Sequence, residues 1–563
     1  MSIDIETYRL KAQEAIEYVF VKEYHNSLGI PMPIVKMLLP DDANYSTGQY
    51  YITIDKTWQI HLNFGKLPIS YHEFQNEVKV LTRHEIEHYM CCPFDVITHF
   101  RMLKRIRDVY YKHFSHLGIN IEYACGAISN QAADIIVDTK NYYRHSKETL
   151  KSEIDWIKIG ANISACPRHC KLMFLTKEAI WKEDLGINET DPEFLKIVHQ
   201  LADSFTKNGI EDKSSFLDKV EEYAEIFFKL YVEDQKNPQQ SSQQGSQQQS
   251  GQQGSQQQSG QWGVGRSKDG DEHGNAFVFA DPDKVKEAIE VLAEETSVEE
   301  FIDLLAIAGI IGMSDKQKGV LWFNVQSANI IPIVEFSNTG NKSSYTYPSV
   351  WRIGDPIEEL DLMLTYMTSP RLIPGMTTKK WEYVSNDDNG TESKQMDLLL
   401  VVDTSGSMGS AMKESANMHQ AVLASYGILS YFESTKSKVA FIGFSDKIDA
   451  YVDWSDKYDD VRERLLTNGH GGTKFPISRI KSTLDVRSRD LVTVLITDGD
   501  LGNINESVSY FRDYLNDDNK LYIFLLGGSK SLHSYEPLKN IGAKIYNANN
   551  ANEFCDMVLT DME

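Results

Sequence analysis

Asp397-Leu-Leu-Leu-Val-Val-Asp403-Thr-Ser405-Gly-Ser407-Met408 is the stretch on which the reading of this chain turns. An apolar run between two aspartates reads as a strand buried on both faces, as in parallel sheets. Asp403, Ser405 and Ser407 then fall two apart on the loop leaving its C-terminal end, where open α/β sheets place their ligands. One carboxylate and two hydroxyls on a tight turn offer oxygen alone, which suits Mg²⁺ rather than zinc. A turn of this composition also caps helices well, so the rest of the pattern must decide.

Two later segments supply it. Gly471-Gly472-Thr473 puts another hydroxyl on a glycine-rich loop, and Leu491-Val-Thr-Val-Leu-Ile-Thr-Asp498-Gly499-Asp500 is a second buried strand ending in a carboxylate. Asp-x-Ser-x-Ser followed by a distal Thr and a distal Asp resembles the metal-ion-dependent adhesion site of the von Willebrand factor A (VWA) family. The resemblance implies one Mg²⁺ held by Asp403, Ser405, Ser407, Thr473 and Asp498, directly or through water. From residue 396 onward strands and helices alternate: a helix over 412–434, strands at 439–444, 450–454, 490–496, 521–526 and 543–547, and a closing helix over 553–559. Such alternation predicts a doubly wound, mainly parallel α/β sheet, the Rossmann-like fold that the resemblance implies.

Working outward, the N-terminal part carries a second chemical signal. Strands at 50–54 and 58–64 follow a helix over 4–28, and a helix from 71 to about 90 contains His84-Glu85-Ile86-Glu87-His88. Histidines four apart share one helical face and can grip one ion, with Glu85 beside them to accept a proton from water. The pattern resembles the HExxH of zinc metallopeptidases, the zincins, and the hairpin before it resembles the zincin order of elements. A catalytic zinc takes three protein ligands and a water. In Ser129-Asn130-Gln131-Ala132-Ala133-Asp134-Ile135-Ile136-Val137-Asp138 the apolar filling predicts a buried helix, with Asn130, Asp134 and Asp138 on one face. Buried carboxylates are costly unless paired or metal-bound. By resemblance to the Glu-x-x-x-Asp helix of one zincin branch, Asp134 would be the third ligand and Asp138 would hold the outer nitrogen of His84. Here an Asp replaces the family's Glu, and His99, Glu122 and Asp138 stand as alternatives. A donor for the oxyanion would come from His99, Tyr89 or Tyr123. Cys166-Pro-Arg-His169-Cys170 lacks the second Cys/His pair of a structural zinc site and reads as structural.

The chain of 563 residues is long enough for two or three domains. A formal charge of −24 argues against general nucleic-acid binding and against docking on anionic membranes. The acidic Met1-Ser-Ile-Asp-Ile-Glu start is unlike a signal peptide, and no stretch reaches the ~20 apolar residues of a span. Six cysteines, two of them adjacent, form no disulfide framework, so a reducing cytoplasm is expected. The nonapeptide Gln-Gln-Gly-Ser-Gln-Gln-Gln-Ser-Gly repeats at 243–251 and 252–260 and reads as a flexible tether.

The division expected is therefore a mainly helical, zincin-like α+β domain over 1–232, a low-complexity linker over 233–280, a helical and mixed bridge over 281–390, and a VWA domain over 391–563. The function expected is that of a zinc metallopeptidase whose VWA domain binds a protein partner through Mg²⁺. Resemblance to intracellular VWA proteins implies a MoxR-type AAA+ ATPase as that partner, since no Gly-x-x-x-x-Gly-Lys-Ser/Thr is present here. The alternative is a non-catalytic adaptor of such an ATPase with an inactive zincin-like domain.

Overall fold

The computed structural model describes residues 5–42, 50–54, 59–64, 70–159, 163, 166–236, 282–310, 313–330, 345–351, 378–384, 396–487, 490–499, 501–517, 519–527 and 532–548. The repeats and the helix expected over 553–559 lie outside these. The chain divides into two compact units, Met1–Lys318 and Gly319–Glu563, and each is described by itself. The first is largely helical and the second is built on a sheet of mixed strands.

In the first unit, α1 (Ile5–Glu17) runs on into a wider turn at Tyr18–Glu23. Tyr8, Ala12, Ala15, Ile16 and Val19 recur at helical spacing and are buried. They meet Ile60 and Leu62 of a small sheet and Phe74, Val78 and Ile86 of α2 (Tyr71–Met90). That sheet joins β2 (Tyr50–Ile54) to β3 (Gln59–Phe64) antiparallel, and β1 (Ile34–Met37), which periodicity did not reveal, to the other side of β3 in parallel. A serine N-cap starts α2: Ser70 accepts from the Glu73 amide. Cys92-Pro93, which cannot continue the ladder, follows its end. Then come α3 (Val96–Val109), α4 (Ile121–Ile159), α5 (Arg168–Trp181), α6 (Pro192–Thr206) and α7 (Phe216–Lys236). The long α4 is broken at His145, whose φ of −137° and ψ of 49° are not helical.

The stretch read as a bridge is divided between the units. Helices α8 (Pro282–Glu295) and α9 (Val298–Ile307) belong to the first, where Arg101 pairs with Glu295 and Arg107 with Asp303 at 2.8 Å. A Ser297–Glu300 capping box opens α9. The boundary between units falls within α10 (Asp315–Ile330).

The second unit contains an antiparallel pair, β4 (Tyr345–Val350) with β5 (Lys379–Val384), and a six-stranded sheet. Its strands are β6 (Asp397–Asp403), β7 (Val439–Phe444), β8 (Ile448–Ser455), β9 (Leu491–Thr497), β10 (Lys520–Leu526) and β11 (Lys544–Ala548), in the order β11-β10-β9-β6-β7-β8. Every neighbouring pair is parallel except the edge pair β7–β8. The helices between strands are α11 (Asn417–Ser434), α12 (Tyr458–Leu465), α13 (Ile477–Leu484), α14 (Val508–Asn516) and α15 (Leu532–Lys539). The first begins five residues later than periodicity suggests, because the chain just before it makes tight turns, closed by the Lys413 amide on the Ser410 carbonyl and the Ala416 amide on the Lys413 carbonyl. All residues of β6, β7 and β9 are buried, so the continuous apolar runs follow from cover on both faces. The chain leaves β6 to one side through β7 and returns on its other side as β9, so the switch point falls between β6 and β9. Among the described residues no helix is long and apolar enough to cross a membrane.

Candidate functional site

Helix α2 carries His84 and His88 one turn apart, and α4 carries Asn130, Asp134 and Asp138 at the same spacing. The two helices pack together with these faces opposed. His84 and His88 are each 5% exposed and Asp134 is 8% exposed. Their ligand atoms all lie within 4.8 Å of one another, and among the described residues no other group of three His, Cys, Asp or Glu side chains is so arranged. Asp134 Oδ1 stands 3.4 Å from His84 Nε2 and 3.2 Å from His88 Nε2, and the two Nε2 atoms are 3.1 Å apart.

Tautomer decides what these atoms present to each other. His88 Nδ1 lies 2.8 Å from the Cys92 carbonyl and His84 Nδ1 lies 2.7 Å from Asp138 Oδ1. Both partners only accept, so both Nδ1 atoms carry the hydrogen and both Nε2 atoms of neutral rings present lone pairs. Asp134 Oδ2 accepts from Asn130 Nδ2 at 3.1 Å, whereas Oδ1, buried, has no hydrogen-bond donor among the described residues. Three lone pairs therefore converge, and a cation is required to hold them. Without a metal a proton fills that role. Burial disfavours charge on His84, but Asp138 and Asp134 outweigh it and push its pKa up to about 10. Burial also raises Asp134, and the two imidazoles more than reverse this, leaving it below the ordinary carboxylate range. The group can hold a metal ion.

The two glutamates of the motif diverge. Glu85 is half-buried beside His84. Glu87 is fully buried and pinned by Lys140 Nζ at 2.8 Å, Arg144 at 2.9 Å and the Tyr24 hydroxyl at 2.9 Å, so it fastens α2 to α4. Of the other candidates, Glu122 is exposed at the start of α4, His99 is buried on α3 outside the group of three, and Tyr89 is half-buried. The side chain of Tyr123 lies outside the described residues. Cys166 is half-buried and Cys170 buried, and His169 Nδ1 engages Asp234 at 2.9 Å.

In the second unit, Asp403 ends β6 and Asp498 follows β9, its neighbour in the sheet. Asp403 is fully buried; its Oδ1 accepts from the Ser405 amide at 2.8 Å and its Oδ2 from Thr497 Oγ1 at 2.6 Å. Ser405 and Ser407 hydroxyls lie 3.1 Å apart, and Ser407, exposed, donates to Asp498 Oδ1 at 3.0 Å. Asn417 Nδ2 donates to Asp498 Oδ2 at 3.0 Å. Thus Asp403, Ser405, Ser407 and Asp498 form one network. Thr473 is half-buried on the neighbouring loop, which meets the Asp403 turn through the Gly406 amide and the Gly471 carbonyl at 3.3 Å. A side chain at Gly471, whose φ is +108°, would strike the Asp446 carboxylate, so the close approach of this loop needs glycine. Burial raises the Asp403 pKa, hydrogen bonds from Thr497 and Ser405 oppose this, and the Asp498 charge adds to the rise. Thr497 and Asn417 were not singled out from sequence. Thr497 is one more apolar-run residue there, and Asn417 sits 81 residues from the carboxylate it holds.

No protein-family model matches this chain, and no curated protein does. A solved structure titled as an uncharacterized membrane spanning protein from Vibrio fischeri aligns with 29% of this chain and 96% of its own at 19% identity, with a TM-score of 0.14, a likeness too slight to bear on fold or function.

Proposed function

We propose that the first unit is a zinc-dependent peptidase of zincin type and that the second is a VWA domain whose Mg²⁺ site grips a protein partner. The observation that carries the first half is the convergence of His84 Nε2, His88 Nε2 and Asp134 Oδ1, with both Nδ1 atoms turned away to other acceptors. Their separations of 3.1, 3.2 and 3.4 Å suit zinc: with bonds of about 2.0–2.2 Å, tetrahedral ligands stand roughly 3.4 Å apart. Charge agrees. Asp134, Asp138 and Glu153 are buried carboxylates and Lys177 a buried ammonium, so these four groups leave −2 for a dication to balance.

His84, His88 and Asp134 would hold the ion, which when bound supplies a Lewis acid for the scissile carbonyl and for water. Asp138 keeps His84 in the tautomer that faces the site. Glu85, half-buried beside His84, would take a proton from water and hand it to the leaving amine. In the second unit, Asp403, Ser405, Ser407, Asp498 and Thr473 would hold Mg²⁺ with a position open to a partner's carboxylate, giving this acidic chain a local positive charge for an acidic surface. A MoxR-type AAA+ ATPase fits that role.

The test is Glu85→Gln. Bound zinc is expected to stay near one per chain while cleavage of an unfolded protein substrate is lost. Zinc retained with cleavage unchanged would end the peptidase reading, and zinc retained with no cleavage by either protein would favour the adaptor.

A further inference from the structure

Behind the zinc-type pocket lies one buried cation that the chemistry above does not use. Lys177, on α5, is 1% exposed, and its Nζ reaches Asp138 Oδ2 at 3.0 Å. It also pairs with Glu153, itself 1% exposed. Phe174 and Trp181, about one turn away on either side, flank the ammonium. Trp181 Nε1 donates to Thr139 Oγ1 at 3.0 Å, tying α5 to the residue after Asp138. Burying an ammonium between carboxylates costs much of what their attraction returns, and apolar replacements of such groups are often neutral or stabilising. Stability alone therefore gives little reason for this ionic trio.

A better reason comes from the two aspartates. Asp134 and Asp138 share one face of α4, both are buried and both reach His84. Either carboxylate has the charge and the oxygens to bind a cation. They differ in what occupies those oxygens: Asp138 has His84 on one and Lys177 on the other, whereas Asp134 has Asn130 on Oδ2 and only the two imidazoles before Oδ1. We infer that Lys177 is a positioning residue that commits Asp138 to holding His84 and so leaves Asp134 as the carboxylate offered to the metal. The inference rests on the reading of the pocket as a metal site. Without the ammonium, Asp138 loses the 3.0 Å ion pair on its Oδ2 and holds the His84 ring less firmly.

The test uses the full chain and two readouts other than turnover: zinc affinity by competition with a chromophoric chelator, and the visible spectrum of the Co²⁺-loaded protein. The Lys177→Met/Glu153→Gln double variant removes one charge of each sign and keeps the net charge. Its zinc affinity is expected to fall about tenfold or more, the size typical of groups that orient a ligand, with an altered Co²⁺ spectrum and unchanged helical content by circular dichroism. A folded double variant with wild-type affinity and spectrum overturns the inference. If the double variant does not fold, Glu153→Gln alone decides, because it leaves Lys177 on Asp138. Affinity within about twofold of wild type supports the assignment, and a tenfold loss refers the effect to the packing of α5 and overturns it. A wild-type chain that takes up no zinc removes the metal reading itself, a different failure from either of these.

Discussion

The His84 pocket and the Asp403 loop treat their polar atoms in opposite ways. In the pocket, two lone pairs and a carboxylate oxygen face one another within 3.4 Å, and Asp134 Oδ1 has no donor among the described residues. In the loop each carboxylate oxygen has a donor: Thr497 and the Ser405 amide for Asp403, Ser407 and Asn417 for Asp498. The ionisation behaviour follows. Asp134 is held below its ordinary pKa by imidazoles that share its site, while Asp403, buried beside another carboxylate, is held above. The first site has the atoms to hold a cation, whether a proton or a metal ion. The second is complete by itself, and an ion there must displace hydrogen bonds, which suits an exchangeable ion that exposed Ser407 borders.

The sharpest way to break this contrast is to remove one donor from each side. His88→Ala should lower zinc affinity by more than about 100-fold, since two protein ligands remain where a catalytic zinc uses three. Asp403→Ala should leave zinc content unchanged while abolishing Mg²⁺-dependent capture of a partner. Metal analysis after dialysis against a chelator checks both, and zinc lost equally in the two variants would mean that the sites are not independent.

Acid–base linkage sharpens the same point. In the zinc-free protein, His84 has a folded pKa of about 10 against an ordinary 6.5. Protonation therefore favours the fold: the contribution is complete below about pH 6.5 and is lost as pH rises toward 10. The melting temperature of zinc-free protein should fall across that window, and zinc, which displaces the proton, should remove this part of the dependence. A zinc-free protein equally stable at both ends would show that no proton is held between the imidazoles.

How much of this was legible follows from where the information lies along the chain. His84 and His88, and Asp134 and Asp138, are each related by a helical turn, so their faces could be read from spacing. The β6 and β9 runs could be read because burial on both faces removes polar residues from every position. What escaped depends on contacts between distant segments. Glu87 looks like Glu85 until Lys140 and Arg144 are placed beside it, and Lys177 looks like a solvated lysine until α5 packs on α4. Strand β1 hides because it has only four residues and the exposed Ile34 blurs the alternation of Val35 and Met37, which pack on the core, with Lys36. The partners of α8 and α9 are ion pairs to α3, which no periodicity within either segment records.

The smallest effect expected separates the charge of Asp403 from the rest of its strand. Thr497 and Thr493 both lie on β9 and are at most 1% exposed. Thr497 donates to the Asp403 carboxylate at 2.6 Å, whereas Thr493 shares a hydrogen bond with the Tyr514 hydroxyl at 2.9 Å. Valine is nearly the same shape as threonine, so each substitution removes little packing; Thr493 gives up the Tyr514 bond, and Thr497 gives up its bond to Asp403 and a longer one from the Gly499 amide at 3.3 Å. Bonds to a charged group are worth about 1.5–3 kcal/mol and neutral ones about 0.5–1.5 kcal/mol. In metal-free urea unfolding near pH 7, Thr497→Val should therefore cost more than Thr493→Val. Lowering the pH should shrink the gap, because a protonated Asp403 no longer needs a strong donor, and burial raises its pKa above that of an ordinary aspartate. Equal costs at pH 7 would mean that Asp403 is already neutral in the folded chain, and the loop would then be a poor cup for any cation until one arrived to drive the proton off.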